Sequence, residues 1–473
     1  MDDCIEKLFV GCSGSSPDKC ECLTPSGSRR SYYRIISGND SFIGVKGTDH
    51  DENRAFISIA ANLRSKGINV PEVIHVSEDG MSYIQEDLGD TLLYDMLSQG
   101  RKSGRYDAQD REILLRVMRS LPKIQVEGAD GFDFSVCYPS ESLNARMVDF
   151  DLNYFKYCFL KPTPVEFNEE RLQDDFDALK NDILAEPMDV FMYRDFQARN
   201  VMIKDGDPWF IDFQGGRRGP VYYDVASFVW QAKAAYPSDL KDEMIEAYID
   251  ALSEYRTVDR DEFRDRLRVF VLFRTLQVLG AYGFRGRIEK RAHFLESIPY
   301  AMKNLTELLS RPFPRYPYLT EVLRKLTEVE SEPVAAVDDG KLEVHIYSFS
   351  FKKGIPEDYS GNGGGYVFDC RSVNNPGRYE YYRQFTGLDK EVQDFLEQDG
   401  GIKVFLDDVF RLVDAHVDRF LERGFSHLQV SFGCTGGQHR SVYSAQKLAE
   451  HLAGCAGVKV HLTHREMKID RFL

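Results

Sequence analysis

The chain has 473 residues, of which 42% are hydrophobic, and its 60 basic and 76 acidic residues give a formal net charge of −16. This length and apolar content allow two or three buried cores, and the acidic excess excludes a general attraction to nucleic acids or anionic membranes. Residues 341–473 contain 17 basic and 18 acidic residues. The acidic excess therefore lies almost entirely in residues 1–340.

The sequence contains no run of eighteen apolar residues and no basic leader followed by an apolar core. We therefore expect a protein that neither spans a membrane nor carries a standard secretion signal. The nine cysteines are odd in number and scattered along the chain, a pattern typical of the reducing cytoplasm rather than of a disulfide framework. These observations predict a cytoplasmic protein.

Residues 1–90 are rich in strand patterns. Aromatic and β-branched runs predict strands, and one stretch with helical spacing of its apolar residues predicts a helix. The strands are expected in the runs 24–36 (after its opening turn), 42–46, 70–76 and 82–86, and the helix at 51–66.

Several residues of this first part are suited to holding a nucleotide. Lys46 ends a predicted strand, where it could reach the α- and β-phosphates of ATP, and Glu52 on the next helix could pair with it. The alternative is that both are ordinary surface charges. Gly27 could let the first hairpin cover the phosphates. A hinge that presents backbone groups to adenine, or a plain connector, is expected at Gln85, Glu86 and Asp87.

From residue 91 to about residue 327 the pattern is mostly helical, with one hairpin. Apolar residues 201–203 and 209–211 predict two strands joined by the turn 204–208. Asp195 and Asn200 lie just before it, in what we call the Asp195 loop (residues 193–200), and Asp212 lies just after it. Phosphoryl transfer needs a carboxylate that orients the attacking hydroxyl, and oxygen ligands for Mg²⁺. We therefore expect Asp195 to be the base and Asn200 and Asp212 to bind magnesium. The alternative is a polar turn region.

An acidic stretch that contains proline and glycine, residues 328–341, predicts a linker. A separate α/β domain is expected at residues 342–473. In it, the strand 426–433 and the helix 441–451 enclose residues 434–440, which we call the glycine loop. Such a loop binds phosphate because backbone N–H groups and the helix dipole point at the anion, and Arg440 can add a bidentate contact.

Motifs in the first 330 residues resemble the aminoglycoside-phosphotransferase-like kinases, and in particular the AmgK-type kinases, which phosphorylate the anomeric hydroxyl of N-acetylmuramate or N-acetylglucosamine. The resemblance implies an α+β bilobal kinase-like fold, with a β-rich lobe at residues 1–90 and a mostly helical lobe at residues 91–327. It also implies ATP, magnesium and the roles given above to Lys46, Asp195, Asn200 and Asp212. The motifs lie at residues 29–34, 194–196, 199–200, 211–214, 219–220, 223–227 and 274–280.

The same resemblance bears on residues around the Asp195 loop. It implies that Asp224 is a buried residue that braces this loop, which is compatible with its other interpretation as a helix N-cap. Most relatives have His where this chain has Tyr193. Gln214 and the pair Arg217–Arg218 lie where a sugar would approach, or else in a solvated turn.

Two functions compete for the glycine loop. Cys434, Arg440 and Ser441 have the Cys-x5-Arg-Ser spacing of cysteine phosphatases, in which a thiolate attacks phosphorus. In the alternative, Cys434 is buried and inert, and the loop binds a sugar phosphate. Binding is favoured because several segments resemble the C-terminal domain of the RNase adapter protein RapZ, namely residues 349–356, 366–371, 374–376, 386–390 and 433–443.

The RapZ resemblance implies a domain that senses glucosamine-6-phosphate and, in the best-known member, binds small RNA and a ribonuclease. Two departures are Gly377, where the relative has His, and a less basic C-terminal tail. Because the domain is nearly neutral, we expect its counterion-driven RNA binding to be weak. The implied sugar-phosphate pocket contains Asp369, Arg371, Thr435, Gly436, Gly437, His439, Arg440 and Ser441.

Together these patterns predict an ATP- and Mg-dependent amino-sugar kinase whose C-terminal domain binds an amino-sugar phosphate and biases the kinase. Two alternatives remain: a RapZ-like adapter with a degenerate kinase-like part, and a phosphatase that acts through Cys434. The sequence leaves open the sugar, the hydroxyl, the nucleotide preference and the oligomeric state.

Overall fold

The structure, a computed structural model, describes residues 3–23, 30–330, 341–356, 365–398 and 400–473. The chain divides into two compact units. The kinase-like unit comprises Met1–Glu289 and Glu296–Glu332, and the C-terminal unit comprises Lys290–Leu295 and Pro333–Leu473. Gly27 and residues 331–340 of the predicted linker lie outside the described residues.

The kinase-like unit begins with a five-stranded antiparallel sheet. Its strands are β1 (Lys19–Leu23), β2 (Ser31–Ser37), β3 (Asp40–Lys46), β4 (Val73–Val76) and β5 (Ser82–Glu86), in the order β1-β2-β3-β5-β4. Two helices accompany them, α1 (Asp3–Ser13) and α2 (His50–Ser65). The sequence patterns missed α1 and β1. The predicted strand at residues 70–76 forms only from Val73, and Pro71 just before it has no N–H to donate.

Helix α2 connects this sheet to the rest of the unit. Its N-cap, Asp49, accepts hydrogen bonds from the backbone N–H groups of Asp51 and Glu52. On its buried face, the ring of Phe56 stacks on Tyr83 at 5.2 Å and on Phe213 at 4.8 Å. Because Phe213 follows Asp212 in the chain, this packing fixes the predicted metal-binding segment against α2.

The second lobe is mostly helical, with two small two-stranded sheets. The strands are β6 (Val190–Met192), β7 (Val201–Lys204), β8 (Asp207–Phe210) and β9 (Arg217–Gly219); β6 pairs with β9 and β7 with β8. The helices are α3 (Leu93–Met96), α4 (Ser98–Ser103), α5 (Ala108–Ala129), α6 (Ala145–Phe155), α7 (Glu169–Leu184), α8 (Tyr222–Val229), α9 (Ser238–Leu252) and α10 (Arg260–Tyr282). The next helix, α11 (Ala292–Leu295), belongs to the C-terminal unit. The lobe then continues with α12 (Ile298–Leu309) and α13 (Pro317–Glu330).

The predicted hairpin is present as β7 and β8. It turns at Asp205 and Gly206, which have φ angles of 54° and 82°. Two successive positive φ angles are typical of the tight turns that match the twist of paired strands. The predicted linker begins later than expected, because α13 continues to Glu330.

One stretch, Arg260–Ile288, would be long and apolar enough to cross a membrane by length and composition alone. Within the protein, however, 56% of its most apolar window is buried. A single helix of this kind is weak evidence for a membrane span, since the core helix of a globular domain passes the same test.

The C-terminal unit contains a second five-stranded sheet in the order β11-β12-β10-β13-β14, parallel except for β14. Its core is formed by one sheet face and the two longer helices, with Val344, Val413 and Leu448 as members. The elements are β10 (Leu342–Ser350), β11 (Gly365–Asp369), α14 (Lys390–Glu397), α15 (Gly401–Arg423), β12 (His427–Cys434), α16 (Arg440–Leu452), β13 (Val458–His464) and β14 (Ile469–Phe472).

Candidate functional sites

The Asp195 loop is closed by hydrogen bonds that both involve Asn200, one through its side chain and one through its backbone carbonyl. The side-chain amide of Asn200 donates to the carbonyl of Asp195 at 2.8 Å, and the carbonyl of Asn200 accepts from the backbone N–H of Ile211 at 3.0 Å. Asn200 is buried, whereas the Asp195 side chain is 47% exposed. The loop therefore presents the Asp195 carboxylate to solvent and holds Asn200 beneath it.

Asp212 follows hairpin β7–β8 in an unusual backbone conformation. Its φ angle is 67°, which is rare for a residue with a side chain. Oδ1 accepts a hydrogen bond from the Gln214 amide at 2.8 Å. The surrounding protein raises the pKa of Asp212, and the negative charge of Asp195 adds to the rise. Asp195, Asn200 and Asp212 thus lie in one region, and their roles as base and metal ligands stay predictions.

Asp224 braces the Asp195 loop, as the resemblance implied. It is the third residue of α8 rather than its N-cap, and it is fully buried. Its carboxylate accepts from the backbone N–H groups of Tyr193 and Arg194, both at 2.8 Å. Burial raises the pKa of Asp224 to about 6 although these hydrogen bonds oppose the rise.

Tyr193, the departure from the family pattern, provides a second brace. Its buried phenol donates to the carbonyl of Ile211, the residue before Asp212. Its ring packs edge-on against Phe196 at 5.3 Å and Phe213 at 6.1 Å. Tyr193 therefore ties the Asp195 loop directly to the Asp212 segment.

A polar cluster beside Asp195 was missed by the sequence analysis. Nη2 of Arg274 lies 3.6 Å from Oδ1 of Asp195, and its Nη1 donates to Gln277. The Gln277 amide in turn donates to Asp151 at 2.7 Å. Arg274 and Gln277 are one helical turn apart on α10, but Asp151 comes from α6, and no local pattern joins those two helices.

Glu52 contacts Arg30, a cation that the sequence analysis did not consider, and its predicted pairing with Lys46 stays a prediction. Nη2 of Arg30 lies 3.3 Å from Glu52, and its guanidinium lies 5.7 Å from the ring of Phe56. Arg30 is only 3% exposed, whereas Lys46 is exposed at the end of β3. Arg30 was visible in the family motif, but its burial and its contact with Glu52 are shown only by the fold.

The predicted hinge lies at the end of β5, and its acidic side chains are engaged. Glu86 pairs with Lys204 of β7 at 2.6 Å, and Asp87 pairs with Arg34 at 2.7 Å. Gln85 lies inside the sheet, opposite Ile43. Any contact of this segment with a base would therefore use backbone groups.

Arg217 was expected either where a sugar would approach or in a solvated turn, and the structure fits neither interpretation. It is fully buried and donates to the carbonyls of Gly215 and Tyr138, so it anchors β9 rather than facing a sugar or solvent. Burial lowers the pKa of Arg217 to about 10. Arg218 is exposed and lies over the ring of Phe134 at 4.3 Å.

The glycine loop borders a cleft of about 360 Å³ at the carboxyl end of β12. Parallel sheets bind ligands at this edge. Thr435, Gly436, His439 and Arg440 line the cleft as predicted. The sequence analysis did not assign the other lining residues to the pocket; they are Asn375, Gly377, Arg383, Cys434 and Gln438.

The remaining predicted pocket residues lie elsewhere. Asp369 and Arg371 form a bidentate ion pair with each other at 2.6 and 2.9 Å, after the end of β11, and neither lines the cleft. Gly437 belongs to the loop and Ser441 follows it, and both contact Cys434 without lining the cleft. The predicted residues that line the cleft are therefore all in the loop itself.

The thiol of Cys434 accepts a hydrogen bond from the N–H of Gly437 at 3.2 Å and lies 3.1 Å from the hydroxyl of Ser441. Burial alone would raise the pKa of Cys434, but hydrogen bonds from Ser441, Gly437 and Gly436 outweigh it, and the pKa is lowered. Gly437 has a φ angle of 69°, the conformation that turns its N–H toward the sulfur.

The two units are a kinase-like phosphotransferase unit and a separate α/β domain whose glycine loop borders a cleft. Residues 25–265 match the phosphotransferase enzyme family of the aminoglycoside phosphotransferases, and residues 342–468 match the RapZ C-terminal domain. Since the first match covers more than half of the chain, the protein belongs to the phosphotransferase enzyme family. The predicted fold, a kinase-like α+β unit and a separate C-terminal domain, is confirmed.

Individual relatives match shorter parts of the chain. A nucleotide-binding protein of Idiomarina loihiensis is 36% identical over 180 residues, which are 38% of this chain and 62% of that protein. A nucleotide-binding protein of Ruegeria is 41% identical over 138 residues, 29% of this chain and 44% of that protein. The chain thus spans less than two thirds of either relative. A solved choline/ethanolamine kinase family protein from Mesorhizobium loti is 15% identical, with 68% of this chain and 99% of that chain covered and a TM-score of 0.43.

Proposed function

We propose that this protein is an ATP- and Mg-dependent kinase of an amino sugar. The acceptor is a hydroxyl, the anomeric one in AmgK-type kinases, of a sugar such as N-acetylmuramate or N-acetylglucosamine. The proposed location is the cytoplasm. The observation that carries this proposal is the Asp195 loop, which presents one half-exposed carboxylate above Asn200 and beside Asp212.

In this proposal Asp195 is the base. A sugar hydroxyl that donates a hydrogen bond to its carboxylate would be oriented for attack on the γ-phosphorus. Arg274, 3.6 Å away, holds the carboxylate in place. Gln277 and Asp151 continue the same hydrogen-bonded cluster and offer donors and acceptors to further hydroxyl groups of a sugar.

Asn200 and Asp212 fit a magnesium site by their chemistry. The Asn200 amide nitrogen is used by the Asp195 carbonyl, which leaves its oxygen as the ligand atom. One oxygen of Asp212 accepts from Gln214, which leaves the other for a cation. Oxygen ligands of this kind suit Mg²⁺. When bound, magnesium would neutralise charge on the phosphates of ATP, and Lys46 would contact the same phosphates.

The C-terminal unit is proposed to bind an amino-sugar phosphate such as glucosamine-6-phosphate at the glycine loop. Backbone N–H groups, the N-terminus of α16 and Arg440 supply the positive potential that a phosphate requires. Occupation of this site would change the rate of the kinase, a coupling that is suggested by the fusion of the two domains.

The kinase proposal is tested with a panel of free and N-acetylated amino sugars, ATP and Mg²⁺, with the product identified by NMR. We expect one class of amino sugar to be phosphorylated, and Asp195→Asn to lower kcat by about 10²–10⁴-fold. The matched control is Asp205→Asn at the exposed hairpin turn, which should keep full activity. Absence of turnover with every sugar would instead support the adapter with a degenerate kinase-like part.

The coupling is tested with the same assay after addition of glucosamine-6-phosphate. The kinetics should change in the unaltered protein and stay constant in Arg440→Gln, whose loop has lost its cation. Identical kinetics with and without the ligand would contradict the coupling but leave the kinase proposal intact.

A further inference from the structure

The thiol of Cys434 has surroundings that phosphate binding alone does not require. Its sulfur lies in the wall of the cleft and accepts a hydrogen bond from the backbone N–H of Gly437 in the glycine loop. The hydroxyl of Ser441, at the start of α16, lies 3.1 Å from it. Inert buried cysteines sit in apolar surroundings, whereas these contacts favour the thiolate, which is the nucleophilic form.

Arg440 is an independent sign of an anionic ligand. The residue is only 5% exposed, and its Nη1 donates to the carbonyls of Arg371 and Val373 at 3.1 and 2.9 Å. Its buried Nε has no hydrogen-bond partner among the residues that the structure describes. A buried charged donor without a partner is unfavourable. A phosphate in the cleft would satisfy it, and the anchored Nη1 holds the guanidinium in position for that contact.

We propose that the C-terminal unit hydrolyses phosphomonoesters, with Cys434 as the nucleophile. This activity rests on the anion site proposed above and adds a reaction to it. The cysteine, the arginine six residues later and the serine after it are all in the positions that the reaction needs: one attacks, one holds the phosphoryl oxygens, and one stabilises the thiolate.

In the first step the thiolate attacks phosphorus, an S–P bond forms and the P–O bond to the sugar breaks. The leaving oxygen takes a proton from solvent water. In the second step a water molecule attacks phosphorus, the S–P bond breaks, and inorganic phosphate and the thiolate are released. The backbone N–H groups of the loop stabilise the negative charge on the phosphoryl oxygens in both steps.

His439 is placed to take the proton of the attacking water. Its Nε2 lies 3.0 Å from the carbonyl of Tyr382, so that nitrogen carries the hydrogen and Nδ1 is left as an acceptor. Gly377 borders the same cleft, and even an added Cβ there would lie 3.6 Å from Nδ1. The glycine that replaces the histidine of the relative therefore leaves room for water beside the base.

The test uses the full chain without ATP and with a chelator, so that the kinase-like unit cannot transfer phosphate. The probes are glucosamine-6-phosphate and p-nitrophenyl phosphate. We expect release of inorganic phosphate, and mass spectrometry of an acid-quenched reaction should find one phosphoryl group on the Cys434 peptide. Cys434→Ser should lower the rate by at least about 10³-fold and change the Kd for glucosamine-6-phosphate less than threefold.

Cys455→Ser is the matched control, because Cys455 is an exposed cysteine of the same unit. It should keep the full rate. If Cys434→Ser does not fold, alkylation of the unaltered protein still tests the proposal. At pH 6 a small alkylating reagent should modify Cys434 faster than Cys455, and inorganic phosphate should protect Cys434 from the reagent.

The outcomes separate this inference from the proposed function. Binding of glucosamine-6-phosphate without phosphate release or a phosphocysteine overturns the hydrolase but leaves the sensing domain. A hydrolysis rate that survives in Cys434→Ser overturns the role of the thiol. No binding of either probe overturns both the hydrolase and the proposed phosphate site, while the kinase assay remains a separate question.

Discussion

The Asp195 loop and the glycine loop both present polar groups at the end of a strand, but they are held in different ways. The Asp195 loop depends on side chains from distant segments, with Asp224 on α8, Arg274 on α10 and Gln125 on α5. The glycine loop uses its own side chains instead, because those of Gln438, His439 and Arg440 contact backbone carbonyls between residues 371 and 385. The N–H of Gly437 also donates to the sulfur of Cys434.

This difference predicts how each site fails. A loop that is held by buried side chains loses its shape when one of them is removed, even far along the chain. A loop whose own side chains reach backbone carbonyls, and which turns at a glycine with a positive φ angle, should be most sensitive to changes within its own sequence. Four experiments test this contrast.

Removal of Asp224 should have the largest effect. Asp224→Ala leaves the buried N–H groups of Tyr193 and Arg194 without an acceptor, which should destabilise the kinase-like unit by about 2–4 kcal/mol. Sugar kinase activity should be lost with it. Hydrogen exchange at these two amides measures the effect, and Asp224→Asn, which keeps one oxygen, should show an intermediate rate. Unchanged exchange in the alanine variant would contradict the brace.

The glycine loop should be sensitive at one glycine and not at its neighbour. A Cβ on Gly437 would lie 2.9 Å from the backbone nitrogen of Ser350, at a φ angle of 69°. A Cβ on Gly436 would meet nothing within 4 Å. Gly437→Ala should therefore destabilise the C-terminal unit by about 1–3 kcal/mol and abolish phosphate binding, while Gly436→Ala keeps both. Amide exchange in β12 and a phosphate titration measure this. Equal effects of Gly437→Ala and Gly436→Ala would contradict the predicted difference between the two glycines.

The contrast between the loops also explains what could be predicted from the sequence. The glycine loop and hairpin β7–β8 are contiguous, so alternation, glycines and spacing in the sequence were sufficient to place them. Pairings through space were not predictable. Arg30 meets Glu52, a contact between residues 22 positions apart that follows from the burial of Arg30 and not from any local pattern.

Burial was the second limit. Arg217 was expected either near an approaching sugar or in a solvated turn, yet it is fully buried and hydrogen-bonded to carbonyls, which is rare for arginine. Helix α1 was missed because it is short and contains a glycine. Its helical state depends on packing of Ile5 and Phe9 against Ile35 and Ile84.

A smaller effect is expected at Tyr193. Tyr193→Phe removes the donor to the Ile211 carbonyl but keeps the ring, so stability should fall by about 1 kcal/mol. The Asp212 segment would be held less firmly, and kcat should fall several-fold while KM changes little. Steady-state kinetics of the sugar kinase check this. Tyr193→His restores the residue of most relatives and a donor, and it should recover part of kcat. An unchanged kcat in the phenylalanine variant would show that Asp224 alone fixes the loop.

The last test, which distinguishes the two units without disturbing either site, is a pH dependence of opposite sign. Burial, with His461 and His427 nearby, lowers the pKa of His345 in β10 to about 3. Its ordinary pKa is about 6.5. Between these values the unfolded chain binds more protons, so stability of the C-terminal unit is complete above pH 6.5 and falls as the pH is lowered.

Asp224 acts in the other direction, because its pKa is raised to about 6 and the folded kinase-like unit binds the proton first. Acidification from pH 6.5 to pH 4 should therefore weaken the C-terminal unit by up to about 1.4 kcal/mol per pH unit through His345, while the contribution of Asp224 moves the kinase-like unit toward greater stability. Unit-resolved hydrogen exchange at several pH values measures both slopes. His345→Gln should reduce the first slope, to which His464 also contributes because burial lowers its pKa to about 4, and leave the second slope unchanged. If it changes neither or both, the two units do not titrate independently and the comparison fails.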